Sequence, residues 1–173
     1  PELFSSAQGI ALDPMPAEVQ KFATFFLMMD PPQHTVYRKL ISSAFTPRHM
    51  REIDEQIHRD AVAVVDDLVG AGDVDFVEAC SARLPMLTIS EMLGVPVVEH
   101  TRLRELTAIL VLALEPLPDP ALQAKVRSAN QELFAMVGEL VRWKRATPGD
   151  DLLTRLITAE HEGDVLSQDE LVA

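Results

Sequence analysis

Between Thr46 and Gly70 the chain repeats apolar residues at Met50, Ile53, Ile57, Ala61, Val64 and Leu68. Gaps of three and four put all six on one side of an α-helix, whereas a strand would scatter them over both faces of a sheet. Both ends of this segment are marked. Thr46-Pro47 offers a hydroxyl to the free N–H groups of a first turn, followed by a residue whose missing N–H costs nothing there. The "GAGD" stretch supplies a stop near Gly70. So long a stripe has to be laid against other elements, and the chain must fold around packed helices.

The same signals recur on both sides. Asp30-Pro31 predicts a helix over about 31–45, with the Asp30 side chain as its cap. Further helices are predicted over about 78–93, stopping at "GVP", and over about 99–114, ending in the Pro-rich "EPLPDP". A long one is predicted over about 120–145, with Leu122, Val126, Ala129, Leu133, Val137 and Leu140 inward, and a short one over about 150–159 after "TPGDD". "DVDFV", 73–77, alternates polar and apolar residues and reads as the clear strand. "EGDVLS" reads as a turn or a short strand. Ser167 with Glu170 three residues on is a capping box, so another helix begins there, and the chain stops inside it at Ala173. The expected fold class is mainly α: long amphipathic helices with one or two short β-strands. Residues 1–173 read as a single domain, incomplete and cut from something longer.

Composition removes several functions. The formal net charge is -12 and the pI about 4.7, which disfavours nucleic-acid partners. Aromatics at 5% leave little for stacking single-stranded bases. The lone Cys80 excludes an internal disulfide and a Cys-rich zinc site, and suits a reducing, cytoplasmic setting. The longest apolar run, 106–114, falls well short of the ~20 residues that cross a bilayer, so no membrane partner is expected. No signal peptide is visible in a chain that opens "PELFSS".

Against this acidic background, residues 31–51 contain no Asp or Glu but hold His34, Arg38, Lys39, Arg48, His49 and Arg51. His34 and Arg38, four apart, share one helix face with their Cβ atoms ~5–6 Å apart. Such a pair is ordinarily a solvated face. Its other use is to aim two directional donors at one carboxylate or phosphate.

The surroundings of that pair carry a resemblance. "MMDPPQHTVYRKLISSAFTPRHM" resembles the region of bacterial cytochrome P-450 enzymes, haem-thiolate monooxygenases, whose pattern is Asp-Pro-Pro-x-His-Thr-x-x-Arg, an apolar stretch, then Phe-Thr-Pro-Arg. Asp30, Pro31, Pro32, His34, Thr35, Arg38, Phe45, Thr46, Pro47 and Arg48 match it. "GDVDFVEACSARLPMLTISEMLGVP" is similar to the family's strand and following helix, "TPGDDLLTRLITAEHEGDVLSQDELVA" to the approach to its central helix, and "PELFSS" to the stretch ahead of its pocket-roofing loop.

The resemblance implies that His34 and Arg38 hold the two propionates of haem b. It implies an iron-ligating Cys thiolate outside this chain, with the central helix and the Glu-x-x-Arg helix also outside. Cys80, in "VEACSAR", is then a buried structural thiol and not the haem ligand; no catalytic residue or metal ligand is expected within the chain. The Glu-x-x-Arg spacings at Glu99/Arg102 and Glu139/Arg142 stand in the wrong places for the family's pair and read as solvated faces. Lys39, Arg48 and Arg51 are either the rim where an electron donor docks or ordinary solubilising charges.

Two apolar stretches would shape the substrate pocket. One contributes Phe25, Phe26, Leu27, Met28 and Met29, the other Val111, Leu112 and Leu114, and Phe26, Met28, Met29 and Leu112 are the candidates. The implied activity is insertion of one oxygen atom from O2 into a lipophilic small-molecule substrate, with electrons from a ferredoxin or flavodoxin-like partner. The alternative is a haemless, truncated relative serving as a non-catalytic helical binding module.

Overall fold

A computed structural model describes residues 5–7, 26–112, 119–161, 164–167 and 171. Its helices are α1 (Gln33–Ala44), α2 (Pro47–Leu68), α3 (Arg83–Leu93), α4 (His100–Val111), α5 (Pro120–Ala146) and α6 (Leu152–Thr158). An antiparallel pair of two-residue strands follows, β1 (Glu160–His161) and β2 (Asp164–Val165), with Glu160 opposite Val165. Short 3-10 turns occupy Phe26–Met28 and Val97–Glu99. Among the described residues no helix is long and apolar enough to cross a membrane.

Capping chemistry decides the best-marked boundaries. Thr46 accepts a hydrogen bond from the His49 N–H at 3.2 Å and Pro47 opens α2. Asp119 accepts from the Ala121 N–H at 2.9 Å and Pro120 opens α5. Asp151 accepts from the Thr154 N–H at 2.8 Å and begins α6. Each cap satisfies a donor that the first turn leaves over.

α2 lies along α3, α4 along α5, and α6 packs against α1, α3 and α5. Ile53 and Val64 of the predicted α2 stripe are buried, Ile57, Ala61 and Leu68 are half-buried, and Met50 at its start is exposed. On α5, Ala129 is buried and the other five predicted inward residues are half-buried. Leu106 of α4 and Val141 of α5 are fully enclosed between their helices.

The predicted strand over 73–77 is absent. Asp75 turns its carboxylate onto the N–H groups of Val77 and Glu78, at 2.9 and 3.1 Å, and so caps a helical turn where alternation suggested extension. That turn, Val77–Ser81, is a π-helix closed by Ala82 N–H to Val77 O at 2.8 Å. The helix predicted over 78–93 is therefore broken and restarts at Arg83. Pro85 accounts for the restart, because a residue without an N–H fits only the first turn of a helix. The hairpin of β1 and β2 takes the place expected for a turn or short strand. The Ser167–Glu170 capping box lies partly outside the described residues; within them, the Leu171 N–H donates to Ser167 O at 3.1 Å.

One buried ion pair ties three helix ends together. Lys144, in the last turn of α5, places Nζ 2.5 Å from Asp151 Oδ2, and both side chains are at least nine-tenths buried. Gly94 ends α3 in the left-handed region, φ 65°. A Cβ there would lie 2.3 Å from Lys144 Nζ and 2.8 Å from Asp151 Cγ. Glycine lets the end of α3 close over the pair.

Candidate cofactor-anchoring site

α1 presents the basic window. Its N-cap position is Pro32, which makes no side-chain cap, so the expected capping by the Asp30 carboxylate does not occur. That carboxylate reaches back along the chain instead. Oδ2 accepts from the Ser5 hydroxyl at 2.5 Å and Oδ1 from the Ser6 N–H at 3.0 Å. These two bonds, the Ser5 hydroxyl foremost, hold the Asp30 carboxyl below the usual carboxylate range. Asp30 still starts the helix through its backbone, accepting the His34 N–H at 3.0 Å.

His34 is half-buried under an aromatic ring. Phe26 stacks on it with ring centroids 4.7 Å apart and planes 17° from parallel. Arg38, one turn further on, is exposed. Other arginines here find carboxylates: Arg48 meets Glu52, Arg102 meets Glu132 and Glu105, Arg104 meets Glu78, and Arg155 meets Asp150. Among the described residues Arg38 meets none, and the first turn of α1 carries no acid. A guanidinium left over in a chain this rich in acids, one turn from an oriented imidazole, is a donor set suited to carboxylates brought by something else.

No family model matches the chain. Individual proteins do. The steroid C26-monooxygenase of Mycolicibacterium smegmatis is 34% identical over 172 residues, 99% of this chain and 41% of its own length. The erythromycin C-12 hydroxylase of Saccharopolyspora erythraea is 35% identical over 144 residues, 82% of this chain and 36% of its own. The solved structure of a Mycobacterium marinum cytochrome P-450 in complex with pseudoionone superimposes with a TM-score of 0.82 at 38% identity, over 96% of this chain and 41% of that one. The chain belongs to the cytochrome P-450 family. It spans about two fifths of the length of the curated relatives it matches.

His34 and Arg38 stand one turn apart on α1, and among the described residues neither forms an ion pair, although the Asp30 carboxylate lies near enough to His34 to feel its charge; two such donors are of the kind that haem propionates would need. Of the pocket candidates, Met28 is buried, Met29 half-buried, and Phe26 is the residue found against His34. Leu112 sits at the end of α4, where it is 43% exposed beside the more exposed Val111. Phe25 and Leu114 lie outside the described residues, as does the side chain of Leu27.

Several other residues stand differently from expectation. Cys80 is half-buried rather than buried, because its π turn lies at the surface beside exposed Phe76 and Val77. Arg102 is no bare solvated face: it bridges α4 to α5 through Glu132, with a second contact to Glu105 at 3.0 Å. Glu139 and Arg142 do remain a loose surface pair at 4.0 Å. In the basic window, Lys39 and Arg51 are exposed without ion pairs among the described residues, while Arg48 is engaged with Glu52.

His49 leaves the basic surface altogether. It is 4% exposed, neither ring nitrogen is hydrogen-bonded within the described residues, and Nδ1 lies 3.7 Å from the Glu52 carboxylate. It lines a cleft of about 200 Å³ between α2 and α3 with Glu52, Gln56, Thr88 and Glu91. Burial pushes the Glu91 carboxyl above its ordinary range, and the neighbouring Asp60 carboxyl adds to the effect.

Sequence reasoning missed the Phe26–His34 stack, the Lys144–Asp151 pair and the Asp60–Glu91 neighbourhood. Only the second left a trace, a Lys at a helix end and a "GDD" start seven residues on.

Proposed function

We propose that this chain forms part of a cytochrome P-450 monooxygenase in which His34 and Arg38 grip the two propionates of haem b. The observation that carries the reading is the α1 face: a directional imidazole and, one turn on, a guanidinium without an ion pair among the described residues, in a segment, 31–51, without a single acid. Propionates are costly to bury alone, and charge-assisted bonds from fixed donors offset that cost, each contributing about 1.5–3 kcal/mol. The haem, held through a Cys thiolate outside this chain, supplies oxygen activation. The residues of this chain orient it and shape one wall of the substrate site.

The substrate is lipophilic. Phe26, Met28, Met29 and Leu112 are large and apolar, and the names of the relatives point to a steroid and to erythromycin. The reaction inserts one atom of O2 into that substrate, with electrons delivered by a ferredoxin or flavodoxin-like protein. Lys39 and Arg51, exposed and without ion pairs among the described residues, together with Arg48, give an acidic donor a basic rim to dock on. The setting is the cytoplasm, and residues 1–173 contribute to one domain.

Arg38→Ala in the full-length protein tests the reading. Loss of one charge-assisted pair speeds haem transfer to apomyoglobin by about tenfold or more. Unchanged transfer and an unchanged Soret band refute it. The reduced, carbon-monoxide-bound spectrum of the same protein checks the ligand: a thiolate-type red-shifted Soret band is expected, and it persists in Cys80→Ser.

A further inference from the structure

We infer that Phe26 is a positioning residue for the propionate anchor: its ring fixes the plane of the His34 imidazole and links the grip on the haem to the apolar segment that leads into α1. The inference rests on the propionate role of His34 proposed above.

The stack is tight and near-parallel, 4.7 Å between centroids and 17° between planes. His34 has its backbone fixed by the first turn of α1, since its N–H donates to Asp30 O. That leaves the side-chain torsions free. An imidazole carries both nitrogens in its ring plane, so fixing that plane fixes the directions in which a proton can be donated. A ring laid on the face does this without competing for either nitrogen, and it excludes water from one side. A hydrogen-bonding neighbour would consume one of the two nitrogens.

Phe26 is itself held. It begins the 3-10 turn Phe26–Met28, the Met29 N–H closes on its carbonyl at 3.3 Å, and Met28 in the same turn is 7% exposed. The buried Met28 anchors the turn, and the turn presents Phe26 to His34. The backbone on the other side is pinned as well, because the Asp30 carboxylate is bonded to Ser5 and Ser6. Stack, turn and tether therefore move together. Whatever presses on residues 26–29 changes the orientation of His34, and a change in the grip of His34 is felt there by the same factor, since coupling of this kind is reciprocal.

The test uses the haem-loaded, full-length protein and reads the rate of haem transfer to excess apomyoglobin, alongside far-UV circular dichroism to confirm folding. A stacked aromatic pair of this geometry corresponds to about a two- to twelve-fold effect. Phe26→Leu keeps an apolar side chain and removes the stack, and transfer accelerates by that factor. Phe26→Tyr keeps the ring and stays within about twofold of the parent. In a His34→Ala background, Phe26→Leu has no further effect, because the residue it positions is gone.

An acceleration by Phe26→Leu that is equally large with and without His34 overturns the inference, since Phe26 then acts by general packing. So does a Phe26→Leu protein that transfers haem at the parental rate while His34→Ala accelerates transfer. If His34→Ala itself leaves transfer unchanged, the propionate role of His34 fails first and the positioning role falls with it.

Discussion

The Lys144–Asp151 pair makes the sharpest energetic prediction. Nζ and Oδ2 are 2.5 Å apart, and the two side chains are 7% and 10% exposed, so neither charge has water to fall back on. Breaking a buried pair from one side leaves an uncompensated charge and costs about 3–5 kcal/mol. Asp151→Asn is expected in that range: an amide oxygen still caps α6 at the Thr154 N–H, but the ammonium is stranded. Asp151→Ala loses the cap too and costs about 1 kcal/mol more. Lys144→Met falls at the low end, because the remaining carboxylate keeps the Thr154 N–H and the positive end of α6. The double variant Lys144→Met/Asp151→Asn removes both charges and keeps the cap. It should be about 2–3 kcal/mol more stable than the sum of the single losses. Urea denaturation followed by far-UV circular dichroism measures all four. Single losses below about 1 kcal/mol, typical of an exposed pair, together with strict additivity, refute the assignment of a buried, coupled pair.

Two further predictions concern the neighbouring helix. Gly94→Ala puts a Cβ against the pair at a left-handed residue and destabilises by at least about 2 kcal/mol, read in the same denaturation assay; a neutral result means that the end of α3 does not close over Lys144. Burial raises the Glu91 carboxyl above its ordinary value, so between the unfolded and folded values the folded form holds a proton that the unfolded chain has released. Its contribution is fully present below the unfolded value and is lost as pH rises through the folded one. Glu91→Gln therefore gains stability over the parent as pH rises towards neutrality, and thermal midpoints that stay parallel across the range overturn this.

What the sequence made legible was governed by local chemistry. α2 and α5 begin where Thr46-Pro47 and the Pro-rich turn before Pro120 said they would, because cap and proline act within one turn and nothing distant competes. The same logic failed at Asp30, whose carboxylate found partners 24 and 25 residues away, beyond the reach of any local rule. It failed again at Asp75. There a short alternation suggested a strand while the Asp75 side chain had two N–H groups within reach and took them.

The candidate site divides in the same way. The spacing of His34 and Arg38 put them on one helix face, as four residues on a helix must, while their reading as an anchor came from the resemblance of the residues around them. Phe26 was legible only as an apolar residue, because its partner lies across the turn of Met28, Met29 and the two prolines. His49 looked like part of a basic surface and is buried, since position three of α2 faces α3 and the cleft between them.

The bond from Asp30 to Ser5 and Ser6 has a consequence for how such a chain can vary. It clasps two points 24 and 25 residues apart. A substitution at Ser5 or Ser6 is therefore not a local matter: it loosens the residue whose carbonyl receives the His34 N–H at the start of α1, so this far-off pair has to vary in step with the helix that carries His34 and Arg38.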